Sequence, residues 1–252
     1  MYSERASRWP GSVVWTHAAE QSAGQNRILP DGCMDLIWSD GRLLVAGPDT
    51  SALVVPSSAG SSSTGLRFAP GFAPSVLGVP GHALRDVRVD LDLVWPAAEV
   101  RRLTDLVAAA PERGAALEDV ARTRLDGVGP TPSWTDGAVR QLRFGASIAA
   151  VAGSLGYSER QLHRRSLDAF GYGLKTLARV LRMTRALDLA RAGGALASVA
   201  VAAGYADQPH FARDVRLLAG VPITELLGDQ ADAGGSGAKM STWLPSGSMR
   251  VA

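Results

Sequence analysis

Two short stretches of this chain set guanidinium, imidazole and carboxamide groups three and four residues apart. In "YSERQLHRRSLDAFG" (157–171), Arg160, His163, Arg164 and Leu167 share one face at helical spacing, and Leu162, Ser166 and Ala169 share the other. In "YADQPHFARDVRLLAG" (205–220), Gln208, Pro209, Arg213 and Arg216 oppose Phe211, Val215 and Leu218. Donors held this way suit the edges of bases in a major groove, where arginine bridges guanine O6 and N7 and glutamine bridges adenine N6 and N7. A polar outer face is also what any solvated helix shows, so one such stretch decides little.

The two stretches are copies of one layout. With Leu162 aligned to Phe211, Arg164 meets Arg213, Gly171 meets Gly220 and Leu177 meets Leu226; Gly156-Tyr157 meets Gly204-Tyr205 after one extra residue in the second turn. Each copy has a short apolar helix ("SIAAVAGSL", "LASVAVAA"), a glycine turn and a polar cap that opens the next helix. Ser158 with Gln161 forms a capping-box pattern, and Asp207 ahead of Pro209 is a favoured helix start. Between the copies, Leu174 to Arg191 keeps an unbroken helical pattern up to Gly193-Gly194. Its length of about 27 Å can hold two reading helices near successive major grooves, which lie about 34 Å apart. Lys175, Arg179 and Arg182 on this connector, with Ser158 and Arg216, are the candidates for phosphate contact.

Charge agrees with this reading. Residues 138–227 hold 12 Arg/Lys against 6 Asp/Glu, whereas residues 1–137 hold 12 against 16. A basic half joined to an acidic half is the layout of a polyanion binder with a separate control domain. The net charge of the whole chain, +2, hides the asymmetry. No apolar run approaches the roughly 18 residues of a membrane span and the N-terminus lacks an apolar signal core, so a cytoplasmic protein without a membrane partner is expected. The single cysteine, Cys33, excludes an internal disulfide and a cysteine-built zinc site. No nucleophile, zincin or phosphate-loop pattern is present, so neither an enzyme nor a cofactor or metal is expected. The competing reading is a small-molecule-binding protein or enzyme with its activity in the first half.

The first half reads as β-rich. "DLIWSDGRLLVAGPD" turns at Asp40-Gly41, and "ALVV" (52–55), "GLRF" (65–68), "SVLGV" (75–79) and "RDVRVDL" (85–91) are further expected strands, with "SSAGSSSTG" as a mobile loop. Many short strands predict a barrel-like or sandwich domain. After Pro96 the period becomes helical: Val100, Leu103, Leu106 and Val107 form one stripe and Leu117, Val120, Ala121 and Leu125 another. These helices should pack on the β domain or pair with a second copy. The expected class is therefore α+β. A β-rich regulatory or dimerisation domain with two helices (1–125) leads through a linker (126–135) to an all-α domain with two helix-turn-helix units joined by a long helix (136–228), then a flexible tail (229–252). Cys33, Trp38 and His82 are the candidates for an effector pocket, against which Cys33 has the favoured reading of a buried structural thiol and His82 that of a surface or capping group. Trp9, Trp15, Phe68, Phe72 and Trp95 are core or pocket wall.

Through "GYADQPHFARDVRLLAGVPITELL", with its Gly turn, Asp-Gln, Phe-x-Arg and Gly-x-Pro, the segment 138–227 resembles the AraC/XylS transcription regulators. The resemblance implies a nucleoid-associated regulator of transcription that binds double-stranded operator DNA, with activation as the expected sense, and a homodimer and RNA polymerase as candidate partners. It also implies base contacts at Arg160, His163 and Arg164 in the first unit, and at Gln208, Ala212 and Arg213 in the second. The chain departs from the family in having Ser166 and Val215 where an aromatic is usual, which predicts looser packing, and Pro209 where a polar side chain is common. "ILPDGCMDLIW", "LLVAGPDT" and "GLRFAPGFAPSVLGVP" are similar to an N-terminal domain of actinobacterial members, in which a small β barrel and following helices sense an effector or dimerise. That similarity implies no particular ligand.

Overall fold

The structure, a computed structural model, describes residues 2–18, 24–57, 60–125 and 134–231. Eight strands open the chain among these residues: β1 (Tyr2–Ala6), β2 (Val13–Ala18), β3 (Gly24–Ile28), β4 (Met34–Ser39), β5 (Arg42–Ala46), β6 (Leu53–Ser57), β7 (Ser62–Phe68) and β8 (Arg88–Asp90). Six of them form one antiparallel sheet in the order β1-β2-β7-β4-β5-β8, while β3 and β6 pair as a separate ribbon. The expected barrel-like β domain is present, and its sheet is not closed: β1 and β8 are its edges. The β4–β5 hairpin turns where expected, with both Asp40 (φ 49°) and Gly41 (φ 75°) in the left-handed region that a two-residue turn of this hand needs.

Alternation divides the sheet into two unlike faces. Leu36, Trp38, Leu43, Val45, Leu66 and Phe68 point to one side and are buried against α1 (Ala73–Leu77), α2 (Ala97–Ala109) and α3 (Arg113–Leu125). The stripes Val100–Leu103–Val107 and Leu117–Val120–Ala121 are buried in this core, so these helices pack on the β domain, the first of the two expectations; Leu106 stays exposed. α1 occupies the place of the expected "SVLGV" strand. A run this short does not declare its period; Pro74 in the first turn and left-handed Gly78 at the end make it one helical turn that buries Ala73, Val76 and Leu77. "RDVRVDL" keeps only the three residues of β8, and part of the expected "SSAGSSSTG" loop is strand, since β7 starts at Ser62.

The opposite sheet face is polar. Trp15 lies flat on Gly65, where a Cβ would overlap its ring, stacks with Tyr2 and donates through Nε1 to Asp35 at 2.8 Å. Arg67, itself buried, lies 3.1 Å from Asp35, 3.4 Å from Asp31 and 3.8 Å from Glu4. Burial pushes Asp31 above the ordinary carboxylate range against the pull of Arg67, while Asp35 and Asp31 overcome the effect of burial on the Arg67 guanidinium and keep it charged.

The second half is helical: α4 (Trp134–Arg143), α5 (Ile148–Ser154), α6 (Glu159–Phe170), α7 (Leu174–Arg191), α8 (Leu196–Ala203), α9 (Gln208–Ala219) and α10 (Ile223–Ala231). Of the expected linker, 126–133 lie outside the described residues, and Trp134 and Thr135 already belong to α4, with Thr135 buried. The tail from 232 onward is likewise outside them, whereas α10 runs past the expected end at 228. The two halves do not keep separate cores. Leu29 is buried among Val180, Met183, Phe211 and Leu218, and Cys33 among Leu162, Phe170 and Leu177.

One buried carboxylate ties the edge strand to the helical layer. Glu118 of α3, 1% exposed, accepts from Arg5 Nη2 (3.0 Å), Ser7 Oγ (2.9 Å) and the Arg8 amide (2.7 Å). Burial raises its pKa, but these donors outweigh burial and hold it below the ordinary value. A folded-state pKa below the unfolded one gives stability that is present above the unfolded value and is lost as pH falls through the folded one. Glu118→Ala should lower unfolding free energy by about 1–3 kcal/mol at neutral pH. Urea titrations at neutral and acid pH should show the gap between wild type and variant closing as the solution is acidified.

Candidate nucleic-acid interface

Local sequence fixes where the two candidate reading helices begin and end. At α6, Ser158 Oγ accepts from the Gln161 amide and Gln161 Oε1 accepts from the Ser158 amide, completing the expected capping box. At α9, Asp207 accepts from the His210 amide at 2.6 Å and Pro209 sits in the first turn. Both helices end at a left-handed glycine, Gly171 and Gly220. α5 and α8 precede them across the turns at Gly156 and Gly204, so each unit has its expected helix-turn-helix form.

Burial divides the faces as the period implies. Leu162, Ser166, Ala169 and Phe170 of α6, and Phe211, Val215 and Leu218 of α9, face inward. Ser166 and Val215, which stand where an aromatic was expected, are both 0% exposed, and Ser166 donates back to the Leu162 carbonyl at 2.6 Å. Arg160, His163 and Arg164 are exposed on α6; Gln208, Pro209, Arg213 and Arg216 are exposed on α9, with Ala212 partly covered between them. Ser158 and Lys175 are exposed as well. The residues expected to meet bases therefore lie together on the outer faces of α6 and α9.

Two of the phosphate candidates are engaged elsewhere. Arg179 of α7 grips Asp214 on the inner side of α9 through Nε (2.9 Å) and Nη2 (2.6 Å). Arg182 lies over the Tyr205 ring at 4.6 Å, with Nη2 3.9 Å from Asp214 and Nη1 3.5 Å from the Gly204 carbonyl. Tyr205 donates to Asp214 at 3.2 Å; burial first, then the Asp214 charge, raise its pKa and keep it protonated. Arg179 and Arg182, expected to hold phosphates, thus make contacts within the chain, to α9 and to the turn that precedes it. Asp214 is the residue that sequence reasoning missed, although its acidic side chain on the inner face of a reading helix in a basic half was a signal.

The pocket candidates do not share a site. Trp38 is buried in the sheet–helix core, Cys33 in the core of the first helix-turn-helix unit, where burial raises its thiol pKa, and His82 is half-exposed 3.3 Å from Asp168 of α6. Phe68 and Trp95 are core, and Trp9 and Phe72 pack at its margin. No group of metal-ligating side chains occurs among the described residues, and none of their helices is long and apolar enough to cross a membrane.

Residues 138–228 match the family of a helix-turn-helix domain, and residues 12–90 match a domain of unknown function, DUF6597. The second half of the chain therefore carries a helix-turn-helix domain. Among solved structures, ToxT from Vibrio cholerae O395 aligns at TM-score 0.45 and 12% identity, over 86% of this chain and 96% of its own. ToxT from V. cholerae strain SCE256 with an unsaturated fatty acid bound aligns at 0.43 and 13%, over 86% and 94%. No curated protein matches the chain.

In this helix-turn-helix domain, removing Asp214 strands two cations and a phenol. Asp214→Ala should cost about 3 kcal/mol of unfolding free energy, whereas Lys175→Ala, on an exposed side chain, should leave stability within about 0.5 kcal/mol of wild type. Thermal or urea unfolding of the full chain distinguishes the two.

Proposed function

We infer that the protein is a sequence-specific transcription regulator that inserts α6 and α9 into adjacent major-groove segments of double-stranded DNA. The observation that carries this reading is the pair of capped helices, each with an exposed arginine-bearing face, joined by the 18-residue α7 in the basic half of the chain. Arg160, His163 and Arg164 read one segment; Gln208, Arg213 and the small Ala212 read the other. Pro209 stiffens the start of α9 but brings no donor, so the second unit depends mainly on Gln208 and Arg213. Ser158, Lys175 and Arg216, all exposed, hold phosphates, Ser158 from the capping box at the start of α6. The first half is the control domain, through an effector or a second copy of the chain. The site of action is cytoplasmic DNA, with RNA polymerase as the partner through which gene activation is exerted.

The test is a binding titration of the full chain against duplex DNA from upstream of its own coding region, repeated over a salt series. Affinity should fall steeply with salt. Retained affinity at high salt, or no binding to any duplex at low salt, would reject the reading. Arg164→Ala and Arg213→Ala should each cost about 1–3 kcal/mol and flatten sequence preference, whereas Lys175→Ala should weaken all duplexes alike and reduce the salt slope by about 1.

A further inference from the structure

The motif "LLVAGPDT" finds no place in DNA contact, yet its end lies where the two readers meet the first half of the chain. At the C-terminal end of α6, Pro48 packs against Gly171, where a Cβ would overlap it, and a Cβ at Gly81 would in turn overlap the Gly171 amide. At the end of α9, the Ala52 amide donates to the Leu218 carbonyl and Arg27 Nη1 donates to the Ala219 carbonyl at 3.0 Å. A helix leaves its last carbonyls without partners of its own, and a cation there also complements its negative end.

Pro48 and Ala52 are four residues apart, a reach of at most about 14 Å. The short stretch between them is pinned. Arg88 holds Asp49 through two bonds of 2.7 and 2.6 Å. Asp86 accepts from the Thr50 amide (2.6 Å) and hydroxyl (2.9 Å) and donates its own amide to the Pro48 carbonyl. Asp86 sits at φ 58°, a left-handed conformation that Asp adopts more readily than most residues but that has a cost, retained where surroundings enforce it. The β3–β6 ribbon extends the second anchor: Arg27 lies on β3, Ala52 directly precedes β6, and Leu29 just past β3 is buried beneath α9.

Resting on the DNA-reading proposal, we propose that Pro48–Ala52 is a strap that fixes the separation of the two reading helices, with Arg27 and Asp49 as positioning residues. α7 holds the readers from one side and the strap ties their C-terminal ends from the other. The strap therefore selects the distance between the two DNA elements rather than their sequence.

The test selects duplexes from a random-sequence library with the full chain. Wild type should enrich two elements at one separation. Arg27→Ala and Asp49→Ala should enrich the same elements at several separations, lowering the preference for the original one by roughly tenfold, and Arg27→Lys should restore it. Variants that keep the single wild-type separation overturn the strap, as does a loss that is equal at all separations. A second measurement needs no DNA: spin labels at Glu159→Cys and Leu217→Cys, both exposed, report the distance between readers, with native Cys33 buried from the label. The distance distribution should be narrow in wild type, broad in Arg27→Ala and narrow again in Arg27→Lys; an unchanged distribution in Arg27→Ala overturns the strap. A wild type that enriches no duplex but shows this broadening rejects DNA reading and leaves the strap standing.

Discussion

The carboxylate of Asp214 is the point on which the arrangement of the helical half turns. It lies on the buried side of α9, receives Arg179 and Arg182 from α7 and Tyr205 from the turn, and so joins α7, the turn and α9 at one place. Apolar packing alone would hold α9 against α7 while permitting rotation about its axis, because side chains of similar size can exchange places in a core. A charged group with fixed donors does not permit that. Rotation by a single residue position would turn Arg213 away from the outer face and leave Asp214 without its cations.

Much of this was legible in the sequence. The capping box at Ser158 and the start at Asp207 follow from local rules, since each rests on residues within one helical turn, and the span of α7 and the duplicated units follow from unbroken patterns along single segments. The faces of α6 and α9 were legible for the same reason. The partners of Arg179 and Arg182 were not, because Asp214 is more than thirty residues away and no local pattern distinguishes an arginine that solvates a helix from one that crosses to another. The sheet was harder. β1, β2 and β3 have mixed compositions without clean alternation, and β2 carries Trp15 on the side opposite the main core. "SVLGV" was apolar enough for either period, and Pro74 with Gly78 settled it as helix. Open versus closed sheet depends on the pairing of β1 and β8 with anything beyond them, which strand patterns do not encode.

The two faces of the sheet follow different physics. One is an apolar core under α1–α3. The other gathers Arg67 with Asp31, Asp35 and Glu4, so that charge removed from water is offset by pairing rather than avoided. Asp31 belongs to the same loop that sends Cys33 into the first helix-turn-helix unit, and Leu29 lies two residues before it in the second. The ion cluster in the sheet and the cores of both units are thus connected through five consecutive residues, 29–33.

That sharing of cores bears on how such a chain can evolve. Regulators are readily imagined as a reader fused to an interchangeable sensor, with the joint in the linker. Here a first half exchanged at the linker would remove Leu29 and Cys33 and leave holes in the cores of both helix-turn-helix units, so a replacement would have to bring side chains of matching shape at the same two places. The two halves share cores at these places, so substitutions in one constrain the other there, whereas surfaces and loops are free of that constraint.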